Sequence, residues 1–329
     1  MVSDPPPIEG VATATAGFAG TGFGGLGPPR LVTSWRDLEH DWGGSSTLER
    51  MVRGFFDNGG KRAYVAATVD ALDVVDEIAL LCPQPEDNED AFSQCDRRRD
   101  RVAILSLPAG LDDVGEVLAA RPLRASPFAA LYHPWVWVGG QLTPPGGHVA
   151  GIHAGRDLVW ATLDDEELQG LDDPPLERSL SPGDTVALAE GAVNSLRDLR
   201  FEGRGIRLQG SRTLDADPEW RYVNLRRLFV FLEHSIDRGI QWAVFEPNAE
   251  DLWTSVRITV ADFLLAQWEA GKLAGRTPDE AFFVRCDRTT MTQDDLDTGR
   301  LVCLVGIAPL RPAEFFIFRI GQWTAEHRP

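Results

Sequence analysis

The chain has 329 residues, 43% of them apolar, and its 32 Lys and Arg residues stand against 50 Asp and Glu residues, giving a formal net charge of −18. A chain of this length and apolar content can bury a sizeable core and is long enough for two domains. The excess of acid argues against nucleic acid as a main partner, because phosphate binding needs basic patches. It also predicts that any self-association depends on salt.

Cysteine spacing and the lack of long apolar runs predict a reduced, cytoplasmic protein. The four cysteines, Cys82, Cys95, Cys286 and Cys303, show no CxxC spacing, which indicates neither a zinc site nor a disulfide framework. The opening residues MVSDPPPIEG have no apolar core of the kind found in signal peptides. No apolar run approaches the roughly 20 residues of a membrane-spanning helix, so we expect no direct membrane insertion.

The first half of the sequence predicts an α/β domain. Before its main apolar runs the chain predicts a strand within 11–27, helices at 32–42 and 48–56, and a strand at 62–68. The three near-continuous apolar runs that follow are Glu77–Cys82, Val102–Leu107 and Ala129–Trp137. Because the segments between them are polar or helical in pattern, we expect a parallel sheet buried on both faces. After a Pro-Gly break, His148–Ala154 continues the apolar pattern. The acidic stretch Arg156–Asp184 is expected to be an exposed excursion from the domain.

The second half predicts a smaller domain with both helices and strands. Strands are expected at 205–211 and 241–245, and a helix at 219–238. Asn248 is expected to cap a long helix that ends at Gly271. Three further apolar runs, Phe282–Cys286, Leu301–Ile307 and Glu314–Ile320, follow near the C-terminus. The turn-forming segment Thr289–Gly299 would let the first two of these runs lie antiparallel.

The last of these runs differs from the other two. Pro309 and Pro312 separate it from the preceding strand, and it carries apolar residues on both faces. It fits a strand that adds itself to the sheet of another subunit, and it fits equally a central strand of its own domain. The residues of this candidate inter-subunit arm are Glu314, Phe315, Phe316, Ile317, Phe318, Arg319 and Ile320.

The sequence shows no complete catalytic or metal-binding set. Gly147–Gly151 (GHVAG) is similar to the histidine motif of subtilisin-type proteases, but no nucleophilic serine turn follows it. His148 and His153 lack further ligands at a metal-binding spacing. Asp297-Thr298-Gly299 has no second copy, as an aspartic protease would need, and Asp294–Asp297 does not fit the EF-hand pattern. We therefore predict no enzymatic activity, cofactor or metal, with a hydrolase as a remote alternative.

Long motifs throughout the chain resemble contractile phage-tail sheath proteins, and most closely the sheaths of phage-tail-like contractile injection systems. In the C-terminal part these motifs are FFVRCD, TTMTQDDLDTGRL and GIAPLRPAEFFIFRIGQ, and earlier they include PPIEGVATATAGFAG, ALYHPWVWV and PPGGHVAGI. The resemblance implies an α/β fold with a subtilisin-like α/β sheath core plus an α+β C-terminal sheath domain with an extended C-terminal β arm. The expected division is a short N-terminal lead at 1–10, the sheath core at 11–195, the C-terminal sheath domain at 196–311 and the arm at 312–329.

The resemblance implies a structural function. In this family, subunits stack as six-membered rings around an inner tube protein, terminal arms join neighbouring subunits, and contraction drives the tube into a target. The implied partners are neighbouring sheath subunits, the inner tube protein, and baseplate and cap proteins, in a particle assembled in the cytoplasm. Lys272, Arg276 and Arg285, the basic residues nearest the end of the long helix, are candidates for contact with the tube, although cations are also common at ordinary helix ends.

Two features depart from the family pattern. Only MVSDPPP precedes the PIEG-like segment, so the usual N-terminal arm is expected to be reduced. An insertion domain often found between the segments matching Tyr64 and Leu72 is also missing. The sequence therefore fits a compact sheath subunit, and as an alternative it fits a non-contracting sheath adaptor near the cap or baseplate.

Overall fold

The computed structural model describes residues 5–20, 27–42, 46–156, 165–310 and 316–323, with the backbone alone for 39–42 and 316–323. Contacts within the chain divide it into two compact units. We call Ala12–Val230 the core unit, and Met1–Val11 together with Phe231–Pro329 the terminal unit.

The core unit is built on a mixed sheet with helices on both faces. Its strands are β1 (Ala16–Ala19), β2 (Arg30–Val32), β3 (Ala63–Ala66), β4 (Leu80–Pro83), β5 (Val102–Ser106), β6 (Ala129–His133), β7 (Val136–Val138), β8 (Gln141–Thr143), β9 (Val193–Asp198) and β10 (Ile206–Gln209). Its helices are α1 (Trp35–Trp42), α2 (Thr47–Asp57), α3 (Asn88–Arg98), α4 (Val114–Ala120), α5 (Gly146–Arg156), α6 (Pro182–Glu190) and the first part of α7 (Val223–Gly239).

In the described part of the core unit, eight strands form one sheet in the order β10-β9-β6-β5-β4-β1-β3-β2. The inner pairs are parallel, and the pairs at the two edges, β9–β10 and β2–β3, are antiparallel. Every residue of β4, β5 and β6 is buried. The prediction of a parallel sheet covered on both faces is confirmed, since strands buried on both sides need continuous apolar runs.

The two faces of the sheet have separate hydrophobic clusters. Val102 and Ile104 of β5 belong to the cluster that includes α2 and α5, whereas Ala103 and Leu105 belong to the cluster that includes α3 and α4. This division follows from the two-residue period of a strand, which sends successive side chains to opposite faces.

Close packing of α5 on α2 depends on glycine. A Cβ atom on Gly147 would lie 2.0 Å from the Met51 carbonyl oxygen, and one on Gly151 would lie 2.4 Å from the Phe55 carbonyl oxygen. Both neighbours are backbone atoms of α2, so no side-chain movement could make room. The GHVAG motif therefore belongs to a buried helix whose small residues bring two helix backbones together.

The terminal unit consists of the second part of α7 and the elements that follow it. These are α8 (Glu250–Glu269), α9 (Pro278–Ala281), β11 (Phe282–Arg285), α10 (Gln293–Asp297), β12 (Arg300–Ile307) and β13 (Phe316–Trp323). One face of α8 is buried, at Leu252, Val256, Val260, Phe263 and Leu264, and Trp268 on the same helix is half-buried. The N-terminal lead joins the same unit, with the Val11 N–H donating to Ser235 Oγ over 3.0 Å.

Several predictions of local structure are wrong. Gln241–Phe245 is a 3₁₀ turn between two helices and not a strand. The run is only five residues long, and of its residues only Ala243 is buried, while Phe245 is 82% exposed. Asn248 does not cap α8: the N-cap is Ala249, and Asn248 Oδ1 instead accepts a hydrogen bond of 2.7 Å from Trp253 Nε1.

Two predictions about longer stretches also need correction. In the expected excursion 156–184, residues 157–164 lie outside the described residues, but Leu168, Leu176 and Leu180 are buried, so the stretch is not simply exposed. The expected domain division at 195/196 falls inside β9. Because β9 pairs with both β6 and β10, a division there would split the core sheet, and the contacts divide the chain after Val230 instead.

Candidate assembly interface

The sequence TTMTQDDLDTGRL folds into a compact connection between β11 and β12. Thr292 Oγ1 accepts from the Asp295 N–H over 3.1 Å, and Asp295 Oδ2 accepts from the Thr292 N–H over 2.8 Å, which forms a capping box at the start of α10. Hydrogen bonds from the Thr292 backbone and hydroxyl, supported by Arg300, lower the pKa of Asp295 to about 2. Thr290 Oγ1 donates to the Val302 carbonyl over 2.7 Å, which fastens the connection to β12.

The sequence pattern of this connection predicts a turn and not α10, although a signal for the helix is present. Thr292 followed three residues later by an acid is a capping-box pattern. Asp297-Thr298-Gly299 is the end of this helix, where Gly299 takes a left-handed conformation with φ 69°. The end of α10 therefore explains the sequence Asp297-Thr298-Gly299 without any protease chemistry.

In the described part of the terminal unit, β11, β12 and β13 form a three-stranded antiparallel sheet with β12 in the centre. The predicted antiparallel pairing of the first two runs is confirmed, with Phe282 opposite Ile307 and Arg285 opposite Leu304. The β12–β13 pair is the longer one and joins eight residues on each strand, from Arg300 opposite Trp323 to Ile307 opposite Phe316.

The candidate arm lies on the edge strand of this sheet. Glu314 and Phe315 are outside the described residues, and the backbone of Phe316, Ile317, Phe318, Arg319 and Ile320 forms the first part of β13. The arm is thus paired within its own chain, but at an edge and not in the centre of the sheet. The structure holds one chain, so the addition of this strand to another subunit stays a prediction.

The three candidate tube-contacting cations lie on two parts of the terminal unit. Lys272 and Arg276 are in the connection between α8 and α9, and Arg285 is the exposed last residue of β11. Lys272 Nζ donates to Gln267 Oε1 over 2.8 Å and lies 4.8 Å from the centre of the Phe231 ring. Arg276 and Arg285 are exposed, so these two guanidinium groups are available for contact with an acidic surface.

The two histidines that were weighed as a protease motif or as metal ligands, His148 and His153, are buried inside the packing of the core unit. His148 is fully buried on α5, its ring contacts Gly54 of α2, and neither ring nitrogen has a hydrogen-bond partner among the described groups. Burial, together with the positive charge of Arg53, lowers the pKa of His148 to about 4. A side chain in this position cannot reach a substrate without unpacking α5 from α2.

His153 is held in a buried polar network. Arg227 Nη1 donates to His153 Nδ1 over 3.1 Å, which leaves the ring proton on Nε2, 3.3 Å from the Tyr132 hydroxyl. Burial, with the nearby charge of Arg227, holds the pKa of His153 well below its ordinary value. Among the described residues, no group of three or more His, Cys, Asp or Glu side chains could hold a metal ion.

Comparison with known proteins relates these features to tail sheath proteins. Residues 215–322, which include α7, α8 and all but the last residue of the three-stranded sheet, match the phage tail sheath C-terminal domain. A prophage protein of Pseudomonas aeruginosa strain UCBPP-PA14, assigned as a major tail sheath protein, is 23% identical over 237 residues. That match covers 68% of this chain and 59% of the relative, so the chain spans less than two thirds of the length of the curated relative it matches.

Solved structures extend the similarity to the whole chain. The sheath of PVC, an extracellular contractile injection system, in its contracted state has a TM-score of 0.84 and 29% identity, with 99% of this chain and 96% of that chain covered. The contracted helical sheath of the anti-feeding prophage has a TM-score of 0.80 and 28% identity, with 98% and 97% covered.

Residues 215–322 thus match a phage tail sheath C-terminal domain, and the chain over nearly its full length is similar to contractile tail sheath structures. Both units of the chain lie within the length matched to the PVC sheath. Within the part of the chain that the structure describes, no helix combines the length and the apolar character that crossing a membrane requires.

Proposed function

We propose that the chain is a structural subunit of a contractile tail sheath, which polymerises as stacked six-membered rings around an inner tube and contracts to drive the tube into a target. The similarity to the contracted PVC sheath, over 99% of this chain and 96% of that one at a TM-score of 0.84, carries the proposal. Its partners would be neighbouring sheath subunits, the tube protein, and baseplate and cap proteins, in a phage tail or tail-like particle assembled in the cytoplasm.

The proposed mechanism needs no enzymatic step. A helical lattice of identical subunits can have two packings, and contraction is the passage from the less stable packing to the more stable one. The free energy comes from new contacts between subunits and not from hydrolysis of a nucleotide. The groups that matter are therefore those at the subunit surfaces, and the buried histidines of the core unit serve packing.

The arm Glu314–Ile320 is proposed to keep subunits connected during this change. In the single chain β13 covers one edge of β12 along eight residues, and the same ladder would form if the strand came from a neighbouring subunit. Exchange of an identical strand between subunits replaces one set of hydrogen bonds by an equivalent set, so it costs little. The link before β13, at residues 311–315, lies outside the described residues.

Deletion of residues 312–329 tests the arm. We expect the truncated chain to fold but to remain monomeric, because it lacks the strand that would join one subunit to the next. The measurement is the amount of protein that pellets in the ultracentrifuge under conditions in which the full-length chain polymerises, with circular dichroism as the control for folding. Polymers of normal length from a folded, truncated chain would contradict the arm assignment.

The cations Lys272, Arg276 and Arg285 are proposed to face the inner tube. Arg276 and Arg285 offer exposed charge in a chain whose net charge is −18. Substitution Arg285→Glu is expected to reduce co-pelleting with the tube protein while sheath polymerisation alone is unchanged. The matched control is Arg97→Glu on α3 of the core unit, where the side chain is 58% exposed and paired with Asp73. Equal loss of co-pelleting in both variants would contradict the assignment of these cations to the surface that faces the tube.

A further inference from the structure

Two buried cysteines lie at the end of the β11–β12 pair, Cys286 directly after β11 and Cys303 within β12. The register of β11 and β12 places Arg285 opposite Leu304, and one residue further along the same register places Cys286 opposite Cys303. Cys286 is 2% exposed, Cys303 is 0% exposed, and both are free thiols. The neighbouring Cys286 thiol, together with burial, raises the pKa of the Cys303 thiol. The two sulfur atoms are therefore neighbours on one face of the sheet.

The backbone geometry of such a pair is compatible with a disulfide. Directly opposed residues of antiparallel strands have Cα atoms about 4.5–5.5 Å apart, and disulfides span Cα separations of about 4.4–6.8 Å. The Cβ atoms need to approach by roughly 1 Å, from about 4.5–5.5 Å to about 3.5–4.5 Å. Cys286 comes directly after the last residue of β11 and before the turn at Asp287, so one partner is at a strand end where a small adjustment is easy.

We propose that Cys286 and Cys303 form an oxidation site that closes a disulfide across β11 and β12, with a low-molecular-weight disulfide such as oxidised glutathione as the oxidant. One protein thiolate attacks a sulfur of the oxidant, forms a mixed disulfide and releases one small thiolate. The second protein thiolate then attacks the protein sulfur of that mixed disulfide and releases the other small thiolate. Two protein thiols lose their protons and two electrons, and the oxidant is reduced to two thiols.

The other two cysteines lack this arrangement. Cys82 is on β4 and Cys95 is on α3, and they belong to the hydrophobic clusters on opposite faces of the core sheet. No strand register places them opposite each other. Of the four thiols, the structure therefore assigns oxidation to the pair in the terminal unit, where opening of the end of β11 would give the oxidant access.

The cross-link would fasten the strand pair that supports the arm. It would close a loop of the chain that contains α10 and would join β11 covalently to β12, the strand that pairs with β13 along eight residues. A closed loop has fewer unfolded conformations, so the linked sheet opens less often. This inference does not depend on the proposed function, because it concerns the sheet within one chain.

The test uses the full-length protein incubated with oxidised glutathione, with reduced glutathione as the reference. Free thiols are counted with a maleimide after denaturation, and non-reduced peptides are mapped by mass spectrometry. We expect the count to fall from four to two and one cross-linked peptide pair to contain Cys286 and Cys303. Retention of all four thiols, or a cross-link that involves Cys82 or Cys95, would overturn the proposal.

Single substitutions give a matched comparison. Cys286→Ala and Cys303→Ala are each expected to abolish the intramolecular cross-link. Cys82→Ala is expected to retain the cross-link, and its number of free thiols should fall from three to one. Hydrogen exchange of the backbone amides in 282–307 should slow in the oxidised wild-type chain. If an alanine variant does not fold, the peptide map of the wild-type protein decides the question by itself.

Discussion

His148 is a titratable side chain in a buried environment, which favours the neutral imidazole. Its ring is fully buried between α5 and α2, and neither nitrogen has a hydrogen-bond partner among the described groups. Burial lowers its pKa to about 4, below the value of about 6.5 that an unfolded chain would have. Between these two pH values the unfolded chain binds a proton at His148 that the folded chain does not bind. The free energy of unfolding therefore decreases as the pH falls from about 6.5 to about 4.

Substitution of His148 should therefore change the pH dependence of stability. In His148→Leu, the free energy of unfolding is expected to fall less steeply between pH 6.5 and pH 4, by about 1.4 kcal/mol per pH unit. Chemical denaturation at several pH values measures this slope. His148→Gln is the matched control for polarity, since glutamine is polar but does not titrate, and it should lose the same slope. A slope equal to that of the wild type in both variants would contradict the account.

At the scale of the element, α5 and α2 show what sequence patterns can and cannot predict. The sequence GGHVAGI is similar to a protease motif in the identity of its residues, but the structure explains its glycines by the short distance between the two helices. Glycine at 147 and 151 is required because backbone atoms of α2 occupy the space of a Cβ atom. No local pattern states which element will pack there, so sequence alone could not identify this contact.

Two helix glycines should respond to alanine in opposite ways. Gly147→Ala is expected to destabilise the core unit by about 1–3 kcal/mol or more, because the new Cβ would lie 2.0 Å from the Met51 carbonyl oxygen and only a helix shift can relieve the clash. Gly183→Ala on α6 is the matched control: the nearest atom to its Cβ would be Ser181 Oγ at 3.7 Å. There alanine should stabilise by up to about 1 kcal/mol. If both substitutions changed the free energy of unfolding in the same direction relative to the wild type, this interpretation of the packing would be wrong.

The strands of the two sheets were predicted with unequal success. The buried runs that became β4, β5 and β6 were found because strands covered on both faces need several successive apolar residues. The apolar run Gln241–Phe245 was misread because a short run can also be a turn between helices. For β13 the pattern identified a strand but not its partner, because pairing within the chain and pairing with a neighbour produce the same ladder.

At the scale of the whole molecule, charge sets the conditions for assembly. Each chain carries a formal net charge of −18, so identical chains repel one another at long range. Salt screens such repulsion over about 8 Å at physiological ionic strength, while strand pairing and apolar contacts act at shorter range. A lattice of these subunits is therefore expected to form more readily as salt rises from very low concentration. This dependence is a property of the assembled state and not of the fold.

Electron microscopy of the purified full-length protein tests the central claim most directly. The protein is imaged in negative stain, alone and mixed with its tube protein, at low and at physiological salt. We expect hollow cylinders of stacked rings, more abundant at physiological salt and wrapped around the tube when the tube protein is present. Monomers or single rings under all four conditions would contradict a self-assembling sheath and would favour a subunit restricted to the cap or baseplate.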